Sequence, residues 1–172
     1  MKRVSICFVA ITLVLVAVAC SRANEVSYKD AVQQGLEQAD LKGISVSEDK
    51  DHNTITLTGK LHSDDAKQQA TQVAQSVAPN RTIANEISIE PVGVGSEAKK
   101  IESNVDSGIE SNYKAALIAN GLSKQDIRYS AKNGVLTLKG KVKAADQKQE
   151  AEQVASSVPN VAQVVDQIEV SR

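Results

Sequence analysis

The sequence predicts an α+β protein made of two tandem small sandwiches. Each runs helix, strand, strand, helix, strand and lays two helices on one face of a three-stranded sheet. Three observations carry this. The chain repeats itself: ITLTGKLHSDDAKQQATQVAQSV (Ile55 to Val77) lines up with LTLKGKVKAADQKQEAEQVASSV (Leu136 to Val158). In each copy, alternating apolar residues give way to helical spacing after the strands. Asn133-Gly134 sits between two such alternating runs, the strongest short-range hairpin signal. Two copies are too few for a solenoid, which needs about three, so the repeat reads as two small domains.

Residues 1–19 read as a signal peptide cleaved before Cys20. Lys2 and Arg3 form its charged start, Val4 to Val18 its apolar run, and Ala17-Val18-Ala19 its small-residue cleavage site. Cys20 directly after Ala19 makes a lipobox-like ending, in which the cysteine is acylated and anchors the chain. Ala17 stands where that motif usually has Leu. Ordinary cleavage that leaves Cys20 as a lone thiol is the alternative. Cys7 is the only other cysteine and lies in the removed segment, so the mature chain holds no intramolecular disulfide.

Residues 20–27 form a lipidated tether, and residues 28–90 the first domain. Ala31, Val32, Leu36 and Ala39 recur at helical spacing, with Gly35 costing about 1 kcal/mol of helix propensity relative to Ala. Ile44 and Val46 open a strand, and Ile55, Leu57, Gly59 and Leu61 line one face of the next. Between them His52-Asn53 falls where the second copy has Asn133-Gly134, so a longer turn is expected. Simple alignment sets Glu48 opposite Tyr129. Ser63 is placed to cap the second helix, with Asp64 and Asp65 in its first turn. Ala66, Ala70, Val73, Ala74 and Val77 form its buried stripe, Pro79-Asn80 stops it, and Ile83 to Ile89 is the third strand.

Residues 91–106 read as linker and helix extension, and residues 107–172 as the second domain. Ala98, Ile101, Val105, Ile109, Tyr113, Ala116 and Leu117 mark one long helix, which Gly121 ends in a left-handed conformation. Its first half reads as a spacer or a frayed end. A two-residue turn at Asn133-Gly134 pairs Lys132 with Val135 and Tyr129 with Leu138. That register puts Ile127, Tyr129, Ala131, Leu136, Leu138, Gly140 and Val142 on the core face. Arg128, Ser130, Thr137, Lys139, Lys141 and Lys143 then lie on an outer, solvated one. A helix from Ala144 to Val158 and a final strand complete the unit.

Composition narrows the function. The chain has 172 residues, 2% aromatic and without Trp, at net charge −1. It lacks both the charge for phosphate neutralisation and the platform for base stacking, so no nucleic-acid partner is expected. Three motifs are set aside. His62-Ser63-Asp64 holds the residue types of a catalytic triad, but triads assemble in space and capping accounts for Ser63 and Asp64. Asp49-Lys-Asp51-His-Asn53 opens like a calcium loop but has Thr54 and Lys60 where such a loop needs Gly and Glu. Gly93-Val-Gly95 lacks the β-α-β unit of a dinucleotide site. No enzyme, metal, cofactor or small-molecule substrate is expected.

The run N-G-V-L-T-L-x-G-x-V, a helix ending S-V-P-N-V and a strand V-V-x-x-I-x-V resembles the BON domain. The second unit matches it closely and the first more loosely. With a lipobox ahead, the chain is similar to the dual-BON envelope lipoproteins of the DolP and OsmY group. The family's structural turn and glycine are Asn133, Gly134 and Gly140 here, with Gly59 in the first copy. The resemblance implies a non-enzymatic periplasmic protein that binds anionic phospholipid and supports outer-membrane integrity or envelope stress tolerance. It also implies lipid contacts on the first helix of the second domain, here about Asn112 to Asn120, with Tyr113 and no Trp.

Two patches are candidates for phospholipid. One is the basic strand face of Lys139, Lys141 and Lys143 with Arg128 alongside; the other is Tyr113, Lys114 and Ile118 on the long helix. Residues 97–172 carry +1 (11 basic, 10 acidic) and residues 27–91 carry −4 (6 basic, 10 acidic), so the second unit is the one suited to an anionic surface. The lipid anchor is Cys20. Ser21 after it points to the periplasmic face of the outer membrane rather than inner-membrane retention, with a soluble periplasmic chain as the alternative. A protein-interaction adaptor for an envelope β-barrel, an assembly factor or a peptidoglycan-associated partner is the competing function.

Overall fold

The computed structural model describes residues 27–90 and 95–171; residues 1–26, on which the expected signal peptide and Cys20 fall, linker residues 91–94 and Arg172 lie outside them. The first unit comprises α1 (Lys29–Gln38), β1 (Ile44–Asp49), β2 (Thr54–Leu61), α2 (Asp64–Val77) and β3 (Thr82–Ile89). The second comprises α3 (Gly95–Ala119), a short 3₁₀ turn at Leu122–Lys124, β4 (Asp126–Lys132), β5 (Val135–Val142), α4 (Ala145–Ser156) and β6 (Gln163–Val170). Each unit has a three-stranded sheet, ordered β1-β2-β3 and β4-β5-β6. The hairpin strands pair antiparallel, and the strand after the crossover helix pairs parallel to the central one.

The second hairpin forms in the expected register, with Tyr129 opposite Leu138 and Lys132 opposite Val135. Asn133 and Gly134 both have positive φ, at 50° and 80°, as a type I′ turn requires. The first hairpin has the longer turn, and this corrects the alignment of its first strand. Ile44 pairs with Gly59 and Ile127 with Gly140, so Val46, not Glu48, occupies the place of Tyr129. Glu48 instead occupies the place of Ala131. Gly59 and Gly140 share one device. Each lies at positive φ where the antiparallel partner begins, and a Cβ there would collide with the carbonyl of Gly43 or Asp126.

One core fills each unit. The first is Val32, Leu36, Ile55, Leu57, Ala70, Ala74 and Ile87 with their neighbours. Gly35, despite its propensity cost, lets α1 approach α2: a Cβ there would lie 3.0 Å from Val73 Cγ1. Ile109, Tyr113 and Leu117 anchor α3 over Leu136, Leu138 and Ile168 in the second core.

The first half of α3 is helical and makes contacts with both units. Its Ile101 is 64% exposed and Val105 37% exposed, so the apolar stripe stops short of that end. An acidic row at four-residue spacing faces the protein instead. Glu102 accepts from Ile89 N–H and the Ser88 hydroxyl of the first sheet. Asp106 accepts from Asn133 and Gly134 N–H at the second hairpin turn. Glu110 accepts from Ala131 N–H on β4. One helix thus ties down the edges of both sheets.

The outer face of the second sheet is only partly solvated, contrary to the sequence reading. Thr137, Val135, Val165 and Gln167 are buried there, as are Thr54 and Ala84 on the first sheet. The two outer faces dock, with Ala84, Val135 and Val165 as the apolar centre. Gln163 lies along β3 like a short strand: its amide donates to Ile83 O at 2.6 Å and accepts from Asn85 N at 3.3 Å. Asn133 Nδ2 donates to Glu86 O at 2.7 Å and Gln167 Nε2 to Thr54 Oγ1 at 3.0 Å.

Candidate functional site

Alternation carries Lys139, Lys141 and Lys143 to one face of β5, and all three are exposed. One of the three is paired with an acid. Lys141 Nζ lies 3.0 Å from Glu169, whose carboxyl that hydrogen bond and charge hold below its ordinary range. Lys139 is one of the charges acting on Asp49 of the first unit. Burial pushes the Asp49 carboxyl up, but hydrogen bonds from the His52 ring and backbone outweigh it and leave it lowered. Arg128, three-quarters exposed, sits 3.8 Å from Asp126. The strand face is a mixed-charge surface, and Lys143 extends past its end.

The helix patch divides differently. Tyr113 is fully buried: its hydroxyl donates to Ala151 O at 3.2 Å, and its ring meets Tyr129 edge-on at 5.0 Å. Burial, with smaller effects of Asp166 and Tyr129, pushes the hydroxyl pKa up. Tyr113 is therefore corrected from a lipid contact to a core residue, because the stripe that seats α3 on its sheet runs through it. Lys114, one residue on, is exposed, and Ile118 is 59% exposed. They border a cleft of about 210 Å³ with Leu117, Leu122, Ile127 and Tyr129 in its walls. An aliphatic side chain, a cation and a shallow apolar floor thus meet at the C-terminal end of α3.

The family model for the BON domain matches residues 25–91 and 105–172. The chain belongs to the BON-domain family. Its two BON domains account for both sheets and all four helices described. Two solved structures are similar in part. One is the C-terminal domain of CdsD, a structural protein of the type III secretion system of Chlamydia trachomatis. It has 15% identity and a TM-score of 0.34 over 83% of this chain and 64% of that one. The other, also of CdsD, has 16% identity and a TM-score of 0.34 over 84% and 61%. The chain therefore spans less than two thirds of either. No curated protein matches.

The residues set aside as chemistry have structural work in the first BON domain. Ser63 Oγ accepts from Ala66 N–H as the α2 cap, and His62 Nδ1 lies 2.8 Å from Glu90 O. Asn53 turns through φ 54° and ties Asn80 and Arg81 to the first hairpin. Sequence reasoning missed Glu48. Burial pushes its carboxyl up, but the Ser27 hydroxyl and the N–H groups of Tyr28 and Lys29 outweigh this and hold it low. With Arg81 3.5 Å away, it caps α1 from the neighbouring strand. Among the described residues no group of three His, Cys, Asp or Glu is arranged to hold a metal ion, and no helix is long and apolar enough to cross a membrane.

Proposed function

We propose that this BON-domain protein is a non-enzymatic envelope lipoprotein, anchored through Cys20 at the periplasmic face of the outer membrane. Its second domain contacts anionic phospholipid and thereby supports envelope integrity. The observation that carries the reading is the exposed pair Lys114 and Ile118 beside the apolar cleft at the end of α3. A shallow interfacial contact needs an apolar residue to enter the headgroup layer and a cation to meet the phosphates. The strand face contributes less, because Glu169 pairs with Lys141 and Asp126 lies beside Arg128. A tether at Cys20 keeps the patch at high effective concentration near the bilayer, so weak intrinsic affinity suffices.

The test is co-sedimentation of the chain from Ser21 to Arg172 with phosphatidylglycerol-containing and pure phosphatidylcholine vesicles, at low and physiological salt. Binding is expected only to the anionic vesicles, weakened by salt. Lys114→Glu combined with Ile118→Asp is expected to lower it about tenfold or more, since each basic residue at such a surface contributes about 1 kcal/mol. Binding to neither vesicle sinks the reading and leaves the protein-adaptor function.

A further inference from the structure

The outer face of the second sheet carries a cationic row that the first domain answers with acids. Lys132 Nζ lies 3.0 Å from Glu86 of β3. Lys139 and Asp49 share the wall of a polar chamber of about 240 Å³ between the sheets. At the same joint His52 bridges the domains, with Nδ1 2.9 Å from Asp49 and Nε2 3.9 Å from Glu169. Lys132, Lys139 and Arg128 all remain exposed, so the first domain offsets their charge without removing them from water.

The contact that holds this arrangement is built to be reversible. Its apolar centre is three small side chains, Ala84, Val135 and Val165. The rest is amide hydrogen bonding, part-exposed ion pairs and, from α3, the Glu102 carboxylate on Ser88 and Ile89, all polar contacts that water can replace. Gln167 Oε1 is buried with no hydrogen-bond partner, so docking carries an uncompensated desolvation. None of these residues belongs to the main core of either domain. Each domain therefore keeps its own core when they part.

We infer that the first BON domain is an intramolecular competitor for the anionic surface that the second one meets. Docked, Glu86 pairs with Lys132, and Asp49 lies in the same chamber wall as Lys139. Undocked, Arg128, Lys132, Lys139 and Lys143 form one cationic face, while Lys141 keeps Glu169 in both states. An anionic surface that binds this face only in the open state shifts the chain toward it. The inference rests on the phospholipid reading for its ligand but assigns it a second, gated contact on the sheet.

The test opens the joint from each side. Ala84→Gln and, separately, Val165→Gln enlarge a residue at the docking centre on the outer face of one sheet. Small-angle scattering of the chain from Ser21 should show the domains apart in both. Affinity for phosphatidylglycerol vesicles should rise about thirtyfold, as for two lysines released at about 1 kcal/mol each. Lys132→Gln with Lys139→Gln should abolish that rise in the open chain and change wild-type binding less than about twofold. If the open chains bind no more tightly, or the rise survives loss of both lysines, the inference is wrong. If neither variant separates the domains, docking is permanent and the inference again falls. Wild-type chain that ignores vesicles while the open variants bind them would refute the helix-end reading and leave this one standing.

Discussion

Where the first domain places Val32 on its helix and Val46 on its first strand, the second places Tyr113 and Tyr129. The two copies share a backbone and differ in how they fill it. The second uses an edge-to-face aromatic pair whose buried hydroxyl finds the Ala151 carbonyl. The first, with smaller side chains, closes the space by bringing α1 onto α2 at Gly35. A duplicated fold thus tolerates different core volumes if a helix can move to meet them. The helices before each core differ as well. α1 has 10 residues and takes its cap from Glu48 on β1, while α3 has 25 and spends its extra turns on both domains.

The sharpest way to break the comparison is truncation of the two matched helix positions. Tyr113→Ala should cost the second domain about 3–5 kcal/mol, and Val32→Ala should cost the first about 2 kcal/mol, read by urea unfolding of the full chain. Equal losses would mean that the cores are not filled differently. A smaller effect concerns Glu48, whose counterpart Ala131 carries no charge. Its folded-state pKa lies below the ordinary 4.5, so its contribution is present above that pH and is lost as the pH falls through the folded value. Glu48→Gln should lower stability by about 1 kcal/mol at neutral pH and flatten the acid limb of a stability–pH profile. The smallest effect is expected at Asp40, which ends α1 at φ 57° where Gly121 ends α3 at φ 73°. Asp40→Gly should raise stability by about 0.5 kcal/mol in the same urea unfolding, by relieving a left-handed side-chain conformation.

Much of this was readable from the residues, in proportion to how local the cause was. Asn133-Gly134 and the alternation around it fixed the second hairpin, because turn and face agree only in one register. The first hairpin was read with the right faces and the wrong partners. Its turn is two residues longer, and a shift of two preserves the alternation that reveals a face. Tyr113 was legible both as a member of the core stripe and as a lipid-contact candidate, and the stripe prevailed. The acidic row Glu102, Asp106 and Glu110 looks in sequence like any solvated helix face, since its partners are backbone N–H groups on three distant strands and turns. Docking of the outer sheet faces did leave a trace. Val164-Val165 and Ile83-Ala84 break the alternation with adjacent apolar residues, the pattern of a strand buried on both sides.

The side chains along β3 also decide what would happen to a first domain on its own. Asn85 N–H and Ile83 C=O would lose Gln163, and Ile89 N–H would lose Glu102. An edge strand with open backbone groups is a template for the next chain, and two such strands pair edge to edge. The second copy therefore serves the first as a built-in guard against self-assembly. A duplication that brought such a guard would have been worth keeping for that alone.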